Sequence, residues 1–184
     1  LVGSEMCIRD RFKPGVTPVG IETYANSRRL EKSLRLQNAD LEIDYNLYEA
    51  GLARPKVKAA DFHGKEAYVQ QRELDEQAAY LCTFVLQDTT DSNGVVRYPV
   101  GNWPILDPAS KEVIIDAHGR RSYTTSMAFG PSLGVNIAMG YLPTNKAKEG
   151  DTVLIEYFGE HYEAKVMKVG YGALLDPTNE RPKS

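Results

Sequence analysis

The stretch "SRRLEKSLRL" places Arg28, Arg29, Lys32 and Arg35 within eight residues. Cations this dense either form a solvated helix face or hold an anionic ligand tail through charge-assisted hydrogen bonds. Glu49, in "YEAGL", is a carboxylate among apolar neighbours. Such a group either pairs with an arginine or serves a site, and the ion pair is the expected state. The histidines are His63, His118 and His161, and none stands at metal-ligand spacing from another donor. No metal site is expected. "FGPSLG" and "YGAL" contain glycine but match neither a phosphate loop nor a dinucleotide fingerprint, so they read as turns at strand ends. "SYTTS" offers hydroxyls without a base to activate one. With Cys7 set aside, Cys82 stands alone in the apolar run "AAYLCTFVL" and reads as packing rather than chemistry.

These residues need elements to position them. "TPVGIETYANSRRLEKSLRL" carries Ile21, Tyr24, Ala25, Leu30 and Leu34 at helical spacing, with Thr17 and Pro18 as a start signal. "NADLEIDYNLYEAGLARP" has no long period and reads as an extended loop and a short strand closing near Pro55. Asp61 is placed to cap a second helix through "HGKEAYVQQRELDE", with Ala67, Tyr68 and Leu74 as its apolar side. After Gln77 the pattern changes to strand-length runs: "AAYLCTFVL", "KEVIID", "RSYTTSMAF", "VNIAMGYL", "DTVLIEYF" and "HYEAKVMKV", separated by turn residues. Short strands at this spacing predict an antiparallel barrel or sandwich over about Gln77–Tyr171, with the helix near Ser27 outside it. "VLIEYFGEHYEAKVMKV" predicts a hairpin turning at Gly159-Glu160.

The chain has 184 residues, enough for one domain or one and a half, and a formal net charge of −3. That charge offers no broad basic field for nucleic acid. No apolar run approaches the ~20 residues of a membrane span. A reducing cytoplasm or mitochondrial matrix fits the cysteine usage. Leu1–Asp10, "LVGSEMCIRD", resembles the in-frame translation of a transposase-based sequencing adaptor, with Arg11 encoded at the junction. On that reading residues 1–11 are adaptor-derived, native sequence begins mid-gene, and Leu1–Asp10 packs against nothing.

Several stretches together resemble one family, the folate-dependent aminomethyltransferases typified by the glycine-cleavage T-protein. "SRRLEKSLRL" resembles its Ser-x-Arg-Leu-Glu helix, "YEAGL" its Glu-Ala-Gly-Leu segment and "DFHGKEA" its Asp-Phe-x-Gly-Lys-Glu-Ala signature. "TTSMAFGPSLGVNIAMGYLP" resembles its long Thr-Ser to Gly-Tyr run, and the four stand in the family's order over Ser27–Pro143. Where the T-protein usually has an arginine four positions before Arg29, this chain has Ala25. Where the family has an aromatic five positions after Arg29, this chain has Leu34. "RLEK" and the tail "LLDPTNERPKS" are more similar to the terminal modules of dimethylglycine and sarcosine dehydrogenases.

The resemblance implies an α+β fold: a helical segment from a truncated folate-binding domain, residues 12–75, then a small antiparallel β-barrel, residues 76–184. It implies a one-carbon transferase acting on tetrahydrofolate and a small methylated amine or sulfur donor. Arg29 and Arg28 are the implied contacts to the folate tail. The family's catalytic aspartate and pterin-binding glutamate lie upstream of the matched segments, so the isolated chain is expected to be inactive. The alternatives are the folate module of a flavin-dependent dehydrogenase, where FAD serves a preceding domain, and a non-catalytic assembly module packing on a partner domain or subunit.

Overall fold

The computed structural model describes residues 19–53, 56–74, 77–98 and 100–180. The adaptor-like Leu1–Asp10 lies outside them, as do Thr17, Pro18 and Pro55. The elements in chain order are a π-helical turn Thr23–Arg28 running into α1 (Arg29–Glu31), then α2 (Lys65–Leu74). The strands follow: β1 (Ala79–Leu86), β2 (Ile105–Leu106), β3 (Thr124–Gly130), β4 (Val135–Pro143), β5 (Thr152–Tyr157) and β6 (Glu160–Val169). All pairings are antiparallel, in the order β2-β5-β6-β1-β4-β3.

The sheet curls, and burial along each strand follows from its place in the curl. β5 and β6 alternate buried and more exposed residues, because only one face meets the interior. β1 and β4 read as almost continuous apolar runs because both their faces are covered. The inner face packs Cys82, Phe84, Leu86, Ile105, Ala138, Leu142, Ile155, Ala164 and Val166 into one core. The outer face of β1, β3 and β4 presents Leu81, Ala128, Ile137, Met139 and Tyr141, which pack under Leu30 of the N-terminal segment. Full burial of an aliphatic side chain contributes about 1.5–3 kcal/mol. This second core is therefore enough to fasten a segment that has little regular structure of its own.

Two irregularities in register, at Thr83/Phe84 and Thr124/Ser126, help bend the sheet. Its two edges then meet. The Thr124 N–H donates to the Trp103 carbonyl at 2.8 Å, and the Ile105 N–H to the Ser122 carbonyl at 3.0 Å. Gly140 lies under this closure. A Cβ there would stand 2.5 Å from the Tyr123 oxygen and 2.9 Å from Ile105 Cδ1, so the close approach requires glycine.

The barrel expected after Gln77 is present, with the helix near Ser27 outside it. Several local expectations are corrected. The hairpin turns at Phe158-Gly159, one residue earlier than predicted, with Tyr157 paired to Glu160. Both turn residues have positive φ (53° and 77°), as a two-residue hairpin loop demands. The first helix stops at Glu31, and Ser33 turns into the left-handed region (φ 51°), so Leu34 does not continue its face. Ile21 and Tyr24 are exposed, and only Leu30 of the predicted apolar stripe is buried. The region after Asn38 forms turns and an isolated bridge, Gln37 to Leu41, rather than a strand. "KEVIID" makes only isolated bridges, through Val113 and Ile115. β2, by contrast, comes from "WPIL", which the strand reading passed over. α2 starts at Lys65, four residues past Asp61, and buries none of its residues. Of its expected apolar side, Tyr68 alone makes a ring contact, stacking on Tyr48.

Candidate functional site: a polar seam between the N-terminal segment and the sheet

The four cations of "SRRLEKSLRL" do not share a face, because the helix ends at Glu31 before Lys32 and Arg35. Each leaves in its own direction and fastens a different piece of chain. Arg29 turns inward. Its Nη1 meets Asp40 Oδ2 at 2.6 Å and the Leu34 carbonyl at 3.1 Å, its Nη2 meets Ser126 Oγ at 2.6 Å, and its Nε donates to the Ala25 carbonyl. Asp40 is fully buried and answers with every oxygen. Oδ2 also accepts the Leu36 N–H at 2.9 Å. Oδ1 accepts Ser126 Oγ at 2.8 Å and the Thr125 hydroxyl, and the backbone oxygen accepts Tyr141 OH at 2.7 Å. A buried ion pair survives only when its remaining polar atoms are satisfied in this way.

Arg28 points outward. Its Nη1 donates to Ser132 Oγ at 3.0 Å and lies 3.8 Å from Glu31 Oε2, and its side chain is 58% exposed. Lys32 reaches the far end of the chain, donating to the Asp176 carbonyl at 2.9 Å and to Asp176 Oδ2 at 3.2 Å. Arg35 donates to the carbonyls of Ser33, Ala50 and Gly170. Burial pulls its pKa below the ordinary arginine value, only partly offset by Tyr141, Asp40 and Tyr171.

Glu31 and Glu49 complete the seam. Glu31 is fully buried, and its Oε1 accepts the Ser132 N–H at 2.6 Å. Gly130 makes room for it, since a Cβ there would lie 3.2 Å from Glu31 Cγ. Glu49 takes the ion pair expected of it, with Arg120 as its partner: Nη2 to Oε1 is 2.6 Å. Its Oε1 also accepts the Ala78 N–H at 3.2 Å and its Oε2 the Asn46 N–H at 3.1 Å. Burial pushes the Glu49 carboxyl up, but the bonds from Arg120, Asn46 and Ala78 leave it below the usual range. Arg120 is shared with Asp116 at 2.6 Å and lies 4.2 Å from the Tyr45 ring, which stacks on Tyr141 at 3.5 Å. Burial raises the Tyr45 phenol to about 12. Gly51, at φ 67°, lets its backbone run against that of Gly170, with the place of a Cβ only 2.6 Å from Gly170 Cα.

Three of the motif stretches noted in the sequence therefore converge. "SRRLEKSLRL" touches "TTSMAFGPS" through Arg29–Ser126 and Glu31–Ser132, and reaches "YEAGL" through Arg35 Nε and the Ala50 carbonyl at 3.0 Å. "DFHGKEA" stays apart, at the entry to α2. Arg28 and Arg29, adjacent in sequence, are separated by burial: Arg29 is held inside, and Arg28 faces solvent. Sequence reasoning missed Asp40, Ser126 and Arg120. Asp40 sits in an aperiodic loop, whereas "DAHGR" could have signalled the Asp116–Arg120 pair across its turn. Among the described residues no group of three or more His, Cys, Asp or Glu gathers as metal ligands, and all three histidines are exposed. Burial raises the Cys82 thiol to about 12, which leaves it un-ionised and inert. The chemistry within this seam is positioning: charges neutralise one another and hold the segment in place.

Residues 103–169 match the family model described as "Glycine cleavage T-protein C-terminal barrel domain". Over that stretch the chain is similar to T-protein C-terminal barrel domains. The match starts at Trp103, yet the barrel domain in this chain also takes in β1, which lies centrally between β4 and β6. The aminomethyltransferase of Prochlorococcus marinus (strain MIT 9303) is 32% identical over 156 residues, covering 84% of this chain and 37% of that protein. The mitochondrial dimethylglycine dehydrogenase of Rattus norvegicus is 30% identical over 162 residues, covering 86% of this chain and 17% of that protein. The crystal structure of glycine cleavage system aminomethyltransferase T from Bartonella henselae superposes with a TM-score of 0.69 at 23% identity. It covers 91% of this chain and 43% of that one, a likeness of fold. The chain thus spans well under half the length of the relatives it matches. Among the described residues, no helix is long and apolar enough to cross a membrane.

Proposed function

We propose that this chain is the C-terminal part of an aminomethyltransferase-like protein that moves a one-carbon unit to tetrahydrofolate. The observation that carries the reading is the convergence of the motif stretches on one seam, through Arg29–Ser126, Glu31–Ser132 and Arg35–Ala50. Stretches that resemble the family in sequence also depend on one another in space. The relatives named as aminomethyltransferases support the same reading.

Tetrahydrofolate, when bound, supplies the N5 amine that accepts the one-carbon unit. The residues of this chain have the complementary task of holding its anionic tail. Arg28 fits that task, since its guanidinium is largely exposed and spends one nitrogen on Ser132. Arg29, the other cation proposed for the tail, acts in this reading through the helix it anchors, because its donors are engaged inside. The acid–base group and the pterin carboxylate belong to the remainder of the longer protein, which works in the cytoplasm or the mitochondrial matrix.

A second reading is favoured by the similarity to dimethylglycine dehydrogenases of Rattus norvegicus and Homo sapiens, each 30% identical. In it the chain is the folate module behind a flavin domain. One-carbon transfer to tetrahydrofolate from methylated amine donors, assayed with the full-length parent, tests the proposal. Formation of methylene- or methyl-tetrahydrofolate supports it, and a folded parent that transfers nothing to tetrahydrofolate overturns it. A bound flavin spectrum in that parent selects the second reading.

A further inference from the structure

A trough of about 370 Å³ lies outside the barrel, lined by Leu47, Leu52, Lys56, Val57, Lys58, Phe62 and Tyr68. Nothing described above uses it. Leu47, Leu52 and Phe62 are 48%, 39% and 39% exposed, so three large apolar side chains face solvent around one concavity. Grouped exposure of this kind marks binding surfaces, whereas scattered apolar residues do not.

The wall of the trough is built before any ligand arrives. Tyr48 stacks on Tyr68 at 5.3 Å, and Phe62 meets Tyr68 edge-on at 6.4 Å. Lys65 Nζ donates to the Ala59 and Ala60 carbonyls, tying the loop before Phe62 back to α2. Lys56 and Lys58 are exposed on this same trough, and among the described residues neither makes an ion pair or hydrogen bond. The cations of the seam behave oppositely, each with a named acceptor.

We infer that this trough binds a small aromatic carboxylate. Its ring lies against Phe62 and Tyr68, where edge-to-face and offset contacts add to the burial of apolar surface. Its carboxylate lies at Lys56 and Lys58, which have no ion-pair partner among the described residues. The volume suits one fused ring system and lies at the small end of ligand pockets. The inference is independent of the folate reading, because it uses no residue of the seam.

The full chain, titrated with 2-naphthoate and followed by naphthoate fluorescence, tests it. The neutral 2-naphthalenemethanol is the control for ring burial alone. Saturable one-site binding of the acid, with weaker binding of the alcohol, is expected. The double variant Lys56→Gln, Lys58→Gln weakens the acid by about tenfold or more and leaves the alcohol unchanged. Phe62→Ala weakens both, with circular dichroism establishing that the barrel is intact. Absence of saturable naphthoate binding to the unaltered chain overturns the inference. So does equal binding of acid and alcohol, or affinity that the lysine substitutions leave unchanged.

Discussion

Arg29 and Asp40 form a buried ion pair, 2.6 Å between Nη1 and Oδ2, with side-chain exposures of 8% and 0%. They stand eleven positions apart, and the pair joins the first helix to a loop that has no regular structure. Through Ser126 it also joins both to β3. Removing one partner leaves the other charged and buried, which costs about 3–5 kcal/mol. Asp40→Ala and Arg29→Ala are each expected to lower the unfolding free energy by that order, measured by urea denaturation. A loss below about 1 kcal/mol would show that the pair contributes no more than a surface contact.

The Glu49–Arg120–Asp116 cluster sets a pH dependence. Burial opposes ionisation of both carboxyls, but bonds from Arg120 and from backbone N–H groups hold their pKa values below the ordinary ones. Their contribution is therefore complete above the unfolded-state values near 4 and is lost as pH falls through the lower folded values. In Arg120→Met the Glu49 carboxyl keeps its Asn46 and Ala78 bonds but loses its cation, so its folded pKa should rise. The loss of stability of that variant as pH falls below about 5 should be shallower than in the parent chain. Unfolding free energies at several pH values compare the two slopes.

Barrel closure predicts a contrast between glycines. Gly140→Ala drives a Cβ into the Tyr123 carbonyl and Ile105, and overpacking of that kind costs about 1–3 kcal/mol. Gly20→Ala meets nothing within 4 Å and should be close to neutral. Thermal unfolding of the two variants side by side measures the difference.

Cys82 is fully buried with its thiol raised to about 12. Its peptide should resist alkylation by iodoacetamide in the native chain and react fully in denaturant. Native labelling at Cys82, read by peptide mass, would mean that the barrel core opens.

What was legible in the sequence follows from which residues carry periodic signals. β1, β3, β4, β5 and β6 announce themselves through β-branched and aromatic runs. β2 does not, because Pro104 interrupts "WPIL" and the strand is only two residues long. The hairpin turn was misplaced because Phe158 adopts a positive φ that its side chain does not advertise. The helix appeared too long because Leu30 and Leu34 keep a helical spacing across the break at Ser33. The motif stretches were legible as resemblance, but their mutual contacts were not. Asp40, the residue that makes Arg29 an internal tie, stands in a loop where neither period nor spacing marks it.

The measurement that bears most directly on the central claim is a calorimetric titration of the full-length parent with tetrahydrofolate, repeated for Arg28→Ala and Arg29→Ala. Saturable binding is expected. Arg28→Ala should weaken it by about tenfold or more, as for a desolvated charge contact, in a variant that circular dichroism shows to be folded. Arg29→Ala should reduce stability first and affinity through it. A parent that folds yet shows no saturable tetrahydrofolate binding would contradict the account.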